Sequence, residues 1–260
     1  MSAFFQLERR RFVSIGKPSS RSARAFTRLE LAAVTAALML LAAVALPLLA
    51  NTKPRADRVT CVNNLRLIGR AEHLWANDHH DVMPWRVDIT EGGTQHHPLQ
   101  NNSWVNYGMM SNELATPMIL ACPSDGLVKA ARSFTSSPFD GFFSVAYRNA
   151  SVSYFIGLDS FLTEAAPFSP GLASAALAGD RNLQVDAIDQ TCSSGVKPAA
   201  GVYPSIVPPS RTRWTNAIHG LTGNILAIDG QVAQTPSSRV VQAIGPGIDD
   251  NAVFHLLMPR

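Results

Sequence analysis

The amino-acid sequence predicts an α+β chain: one long N-terminal helix, half in a membrane and half outside it, packed on a mainly antiparallel β, loop-rich C-terminal domain. Three observations lead there. Leu31 to Ala50 is a run of twenty residues without a charge. Cys61, Leu65, Ile68, Ala71 and Trp75 then recur in steps of four, three, three and four, one apolar helical stripe. Beyond residue 81 the texture turns to short β-forming runs broken by Gly, Pro, Asn and Asp.

The apolar run comes first. At 1.5 Å per residue, about twenty helical residues cover the ~30 Å of a bilayer core. Arg9, Arg10, Arg11, Lys17, Arg21 and Arg24 precede it against a single acid, Glu8, and cations are sparse just after it. That asymmetry places the N-terminus in the cytoplasm and the body outside. A cleaved secretory signal is the rival, but its apolar core is shorter, and Leu48-Leu49-Ala50 puts a large residue at a position that needs a small one. The whole chain is 16% charged, below the ~25% of soluble domains. Its net charge of +3 comes largely from the first 25 residues. The body carries no basic stripe with interleaved aromatics, so a nucleic-acid partner is not expected.

The second half of the helix is expected over 51–80, with Pro54 in its first turn and Asn63, Arg66, Arg70 and Asn77 off the stripe. Residues 81–260 are expected to form the β-rich domain. Ser151–Leu158 reads as a strand, and Asn224–Thr235 as two alternating runs around the hairpin dipeptide Asp229-Gly230. Lys197–Arg211, with four prolines, reads as an extended connection. Cys61, Cys122 and Cys192 have no C-x-x-C spacing; in an exported body one bridge and one odd thiol is the natural count.

Several residues invite a chemical role. His79, His80, His96 and His97 lie near Asp78 and Asp81, but no pair shares a helix face, so they read as solvated polar groups. The turn already explains Asp229. His219 is a conceivable base with Asp180 or Asp229 as its orienter, yet no nucleophile is placed beside it. No G-x-S-x-G, H-E-x-x-H or phosphate-loop motif occurs. No enzyme and no cofactor is expected. Calcium alone has a candidate segment, Gly247–Ala252, whose oxygens match no established ligand spacing.

Glu30 is the odd residue, a carboxylate at the edge of the apolar run. Placing it there costs about 2.5 kcal/mol or more without a partner. Arg28, two residues away, does not share its helix face, so the partner is expected from elsewhere, another chain included.

The stretch Ala25-Phe26-Thr27-Arg28-Leu29-Glu30 resembles the processing site of type IV pilins and type II secretion pseudopilins. The resemblance implies cleavage between Ala25 and Phe26 by a prepilin peptidase on the cytoplasmic side, then N-methylation of Phe26. Glu30 becomes the fifth mature residue, where the family pairs a Glu with the N-terminal amine of a neighbouring subunit. Pro47 becomes the twenty-second, where the family commonly has a helix-loosening Pro. Two positions depart: Ala25 stands where the family has Gly, and Arg28 where it has an apolar residue. Cys61–Gly69, Ala121–Asp125 and His219–Val232 further resemble phrases of bacterial pseudopilin-like proteins with a mainly β C-terminal domain.

The resemblance implies a pilin-like fold: residues 1–25 as leader, 26–50 as the transmembrane half-helix, 51–80 as its extramembrane half and 81–260 as the globular domain. It implies a single-pass inner-membrane subunit of a secretion or pilus-like assembly. Its partners would be prepilin peptidase, other pilin-like subunits and an inner-membrane assembly platform. Cys61 and Cys122 fall inside two of the shared phrases. A bridge between them would close a loop of about sixty residues; two free buried thiols are the alternative, and Cys192 is expected to be unpaired. The competing function is a membrane-anchored extracytoplasmic binding module that does not polymerise.

Overall fold

The computed structural model describes residues 27–50, 52–160, 175–184, 204–207, 212–245 and 254–259, with backbone alone at 46–50, 52, 204–207 and 254. It divides into two units, Met1–Ala50 and Asn51–Arg260. In the first, helix α1 runs Arg28–Ala50. Every side chain described from Thr27 to Ala45 is exposed. The helix is long and apolar enough to cross a membrane: the mean hydropathy of Arg28–Ala45 is 1.8.

The second unit is α+β. Helix α2, Thr52–Asn77, begins with Pro54 in its first turn, where a missing N–H costs nothing. The predicted stripe is its buried face: Cys61, Leu65, Ile68, Ala71 and Trp75 are all within 3% of full burial. The expected end at residue 80 is corrected to Asn77. His80 and Asp81 take left-handed φ of 58° and 59°, and the Asp81 N–H turns back to the Ala76 carbonyl at 2.8 Å, a turn the α-helix cannot continue through.

The described residues hold eight strands: β1 Tyr154–Gly157, β2 Ala176–Asp180, β3 Leu183–Gln184, β4 Pro204–Val207, β5 Arg213–Trp214, β6 Thr222–Ala227, β7 Val232–Pro236 and β8 Phe254–Leu257. Six form one antiparallel sheet, ordered β4-β8-β1-β2-β6-β7, and β3 pairs with β5. Successive strand residues point to opposite faces. Tyr154, Ile156, Leu226 and Leu257 join the α2 stripe in one core. Phe155, Ile225 and Leu256 meet Trp214, Val240 and Ile244 in a second, the last two carried by helix α5, Val240–Ile244. Both faces of the central strands are thus covered, which is why β1 reads Tyr-Phe-Ile-Gly without a polar residue. Gly69 lets α2 lie close to the sheet; a Cβ there would sit 3.0 Å from Leu226 Cδ2. The β6–β7 hairpin turns at Asp229-Gly230 as predicted, with Gly230 at φ +83°, a backbone that favours glycine.

Residues 81–151 differ from the expected β and loop. They hold helix α3, Ser103–Met109, helix α4, Ser111–Leu114, and short 3-10 turns at Pro84–Arg86, Ile89–Glu91, Pro117–Leu120 and Arg148–Ser151. Local chemistry explains this. Pro84 and Pro117 open their turns, and the side chains of Asp88 and Thr116 accept from the N–H groups of Thr90 and Met118. Such bonds give the backbone an alternative to a ladder.

Glu72 lies on the buried face of α2 at 0% exposure, and among the described residues neither carboxyl oxygen has a hydrogen-bond partner. Burial holds its pKa well above the free value of 4.5. The folded state therefore keeps this proton after the unfolded state has lost it. The carboxyl costs least below pH 4.5, and stability falls as pH rises above that value. Glu72→Leu is expected to raise stability at neutral pH by about 1–3 kcal/mol. Urea melts of variant and wild type should differ least below pH 4.5 and separate further above it; parallel profiles would contradict this.

Candidate functional site

Two places concentrate polar chemistry, one in each unit. At the head of α1, Thr27 and Glu30 cap the helix reciprocally. The Glu30 N–H donates to Thr27 Oγ1 at 3.2 Å. The Thr27 N–H and hydroxyl donate to Glu30 Oε2 at 2.9 and 3.0 Å. This is the capping box Thr-x-x-Glu, legible in Thr27-Arg28-Leu29-Glu30 and overlooked when Glu30 was assigned a partner elsewhere. Among the described residues both bonds reaching the carboxylate end on Oε2, which leaves Oε1 for another donor. Ala25 and Phe26 lie outside the described residues. Pro47 lies within α1, and its missing N–H leaves the carbonyl four residues earlier without its helical donor.

The second place is buried. Cys61 on α2 is bonded to Cys122, in the segment after the Pro117–Leu120 turn, with Cα atoms 5.1 Å apart. The Cys122 N–H donates to Ser153 Oγ at 2.9 Å, and Ser153 Oγ donates to Asp125 Oδ2 at 2.9 Å. Arg181 grips Asp125 through Nε at 2.6 Å and Nη2 at 2.9 Å, a bidentate pair. His219 reaches the bridge from the loop before β6, its Nε2 3.5 Å from Cys122 Sγ and 3.4 Å from Asp180 Oδ2. Its carbonyl accepts from Arg58 Nη2 and Thr222 Oγ1, both at 2.8 Å. Asp180, at the end of β2, accepts at Oδ2 from the backbone and side-chain nitrogens of Asn224, at 2.7 and 2.9 Å. Among the described residues its Oδ1 is buried without a hydrogen-bond partner.

Burial dominates the electrostatics. It pushes Asp180 up to about 7 against the two Asn224 bonds. It pushes His219 down to about 4, with the nearby Arg58 cation adding to it. At neutral pH the imidazole is therefore uncharged and Asp180 is partly protonated, so their contact is a polar one rather than a full ion pair. Cys122 and Asp180 approach the same nitrogen of His219. A nucleophile–base–acid relay needs them on opposite ring nitrogens, so this geometry does not form one.

The structure separates the other residues that invited a role. His79 stacks on Trp75 with ring centroids 3.6 Å apart and bonds the Trp75 carbonyl at 2.8 Å. His96 pairs with Asp88 at 2.6 Å, and His97 accepts from the Leu99 N–H at 2.9 Å. His80 is exposed. Asp229 caps its own turn through the Gln231 N–H at 2.9 Å. Sequence reasoning pairs His219 with Asp180, and the resemblance pairs Cys61 with Cys122; neither shows that the two pairs meet, because the four residues are spread from position 61 to position 219. Cys192 and the calcium candidate Gly247–Ala252 lie outside the described residues. No protein-family model, no curated protein and no solved structure matches the chain.

Proposed function

We propose that this chain is a pseudopilin-like structural subunit, anchored in the inner membrane by α1 with its body on the far side, and working by assembly rather than catalysis. In this reading prepilin peptidase cuts between Ala25 and Phe26, Phe26 is N-methylated, and the helix packs among other pilin-like subunits on an inner-membrane platform. The observation that carries it is Glu30 at the head of an exposed, membrane-length apolar helix, four residues after Phe26. Its Oε2 closes the capping box, and its Oε1 is left to receive a neighbour's N-terminal amine. In lipid such a pair meets little competition from water and sets the stagger between subunits.

Glu30→Gln separates the two jobs of this side chain. Gln also completes a capping box, so α1 should form and insert as before. The charge is gone, and each subunit contact should lose about 3 kcal/mol, about a hundredfold in the assembly equilibrium. Glu30→Ala keeps the Thr27 cap on its backbone N–H but should also lose the reciprocal half of the box, about 0.5–1 kcal/mol. In-membrane cross-linking between neighbouring α1 helices reads the result. Wild-type cross-linking by Glu30→Gln would favour an anchored binding module that does not polymerise.

A further inference from the structure

Three buried side chains of metal-ligating types converge at the bridge. Cys61 Sγ, Cys122 Sγ and His219 Nε2 all lie within 4.8 Å of one another. Their residues are 0%, 2% and 4% exposed, and Asp180 beside them is 0% exposed. A tetrahedral zinc with bonds of about 2.3 Å to sulfur and 2.0 Å to nitrogen or oxygen requires edges of about 3.5 Å from S to N and about 3.3 Å from N to O. The protein has Cys122 Sγ to His219 Nε2 at 3.5 Å and His219 Nε2 to Asp180 Oδ2 at 3.4 Å. Two of the six edges are in place; Asp180 stands outside the three-residue cluster and must move toward the sulfurs to become the fourth ligand. The edge between the sulfurs must open to about 3.8 Å, which breaking the S–S bond allows.

We propose that, when the Cys61–Cys122 bond is reduced, Cys61, Cys122, His219 and Asp180 form a buried site for a borderline-soft divalent cation, with zinc as the expected occupant. The reductant is a dithiol. It supplies two electrons and two protons, the S–S bond breaks, and the dithiol closes to its own disulfide. On binding, the two new thiols release their protons to water and both thiolates donate to the metal, with the imidazole nitrogen and the carboxylate as third and fourth ligands. Asn224 orients the carboxylate through its two bonds to Oδ2, as outer-shell partners do, and Asp180 Oδ1 gains the electrostatic partner it lacks. Bridge and metal are mutually exclusive, yet each ties the same two segments, α2 and the Cys122 loop, in the same place.

The test uses the full chain in detergent, reduced without oxygen by a water-soluble phosphine. The phosphine takes its oxygen from water and leaves two thiols. Cobalt(II) alone is the probe. The reduced protein should bind a single cobalt per chain, with thiolate-to-cobalt charge transfer and the visible bands of tetrahedral cobalt. Zinc should displace it, and the oxidised protein should show neither signal. His219→Ala, checked for folding in its bridged form, should weaken binding by more than the about 10–100-fold that losing an outer-shell partner costs. X-ray absorption on zinc-loaded reduced wild type needs no variant and should find two sulfur and two nitrogen or oxygen neighbours. Equal cobalt binding by oxidised and reduced protein, an octahedral spectrum, or a zinc shell without two sulfurs would overturn the proposal.

Discussion

Removing the Cys61–Cys122 bridge lowers the stability of the Asn51–Arg260 unit by about 4 kcal/mol. The bridge spans 61 positions, and the chain-entropy relation for a loop of that length gives about 4 kcal/mol at room temperature. For a unit of this size that corresponds to a drop of about 10 °C in Tm. The effect is large because the bridge ties the buried face of α2 to a loop outside the sheet. Without it, α2 keeps the packing of Leu65, Ile68, Ala71 and Trp75 and the side-chain bonds of Asn64 and His73. The double variant Cys61→Ala with Cys122→Ala, melted without added metal, measures it. A loss under about 1 kcal/mol would show that the unfolded chain is already restrained there.

Asp125→Ala is expected to cost about 3–5 kcal/mol. Its side chain is 2% exposed and that of its partner Arg181 is 18% exposed. Asp125 accepts four bonds: two from Arg181, one from Ser153 Oγ and one from the Leu127 N–H at 3.2 Å. Deleting the carboxylate strands the guanidinium and leaves the Ser153 hydroxyl without its acceptor, and Ser153 in turn holds the Cys122 N–H. Arg181→Met alone leaves Asp125 two of its donors and should cost less. Adding Arg181→Met to Asp125→Ala should recover part of the loss, because a charge without its partner costs more than the absence of both. Denaturant melts of the two single variants and the double complete the cycle. Strict additivity would show that the pair is not coupled.

Local and periodic features were legible in the sequence. The α2 stripe was readable because one face of a 3.6-residue helix buries every third or fourth side chain, and all five residues chosen are buried. The Asp229-Gly230 hairpin was readable because a turn needing positive φ names its own residues. The region 81–151 was misread because Asp88, Thr116 and the prolines act through single side-chain caps, which leave no period. Of the Cys–His–Asp centre the two pairs are legible and their meeting is not. Its four residues come from α2, a loop, the end of β2 and the loop before β6, and only the packing of these segments together joins the pairs. Glu30 was read only as an acid awaiting a partner, although Thr27, three residues before it, already offered one.

The central proposal is that the mature chain is a processed pilin-type subunit whose first residue is Phe26. Mass spectrometry of the protein taken from its own cell membranes, reading the N-terminal peptide, tests this most directly. The account predicts a chain that starts at N-methylated Phe26. A chain that starts at Met1, or near Asn51 after ordinary signal cleavage, would contradict it.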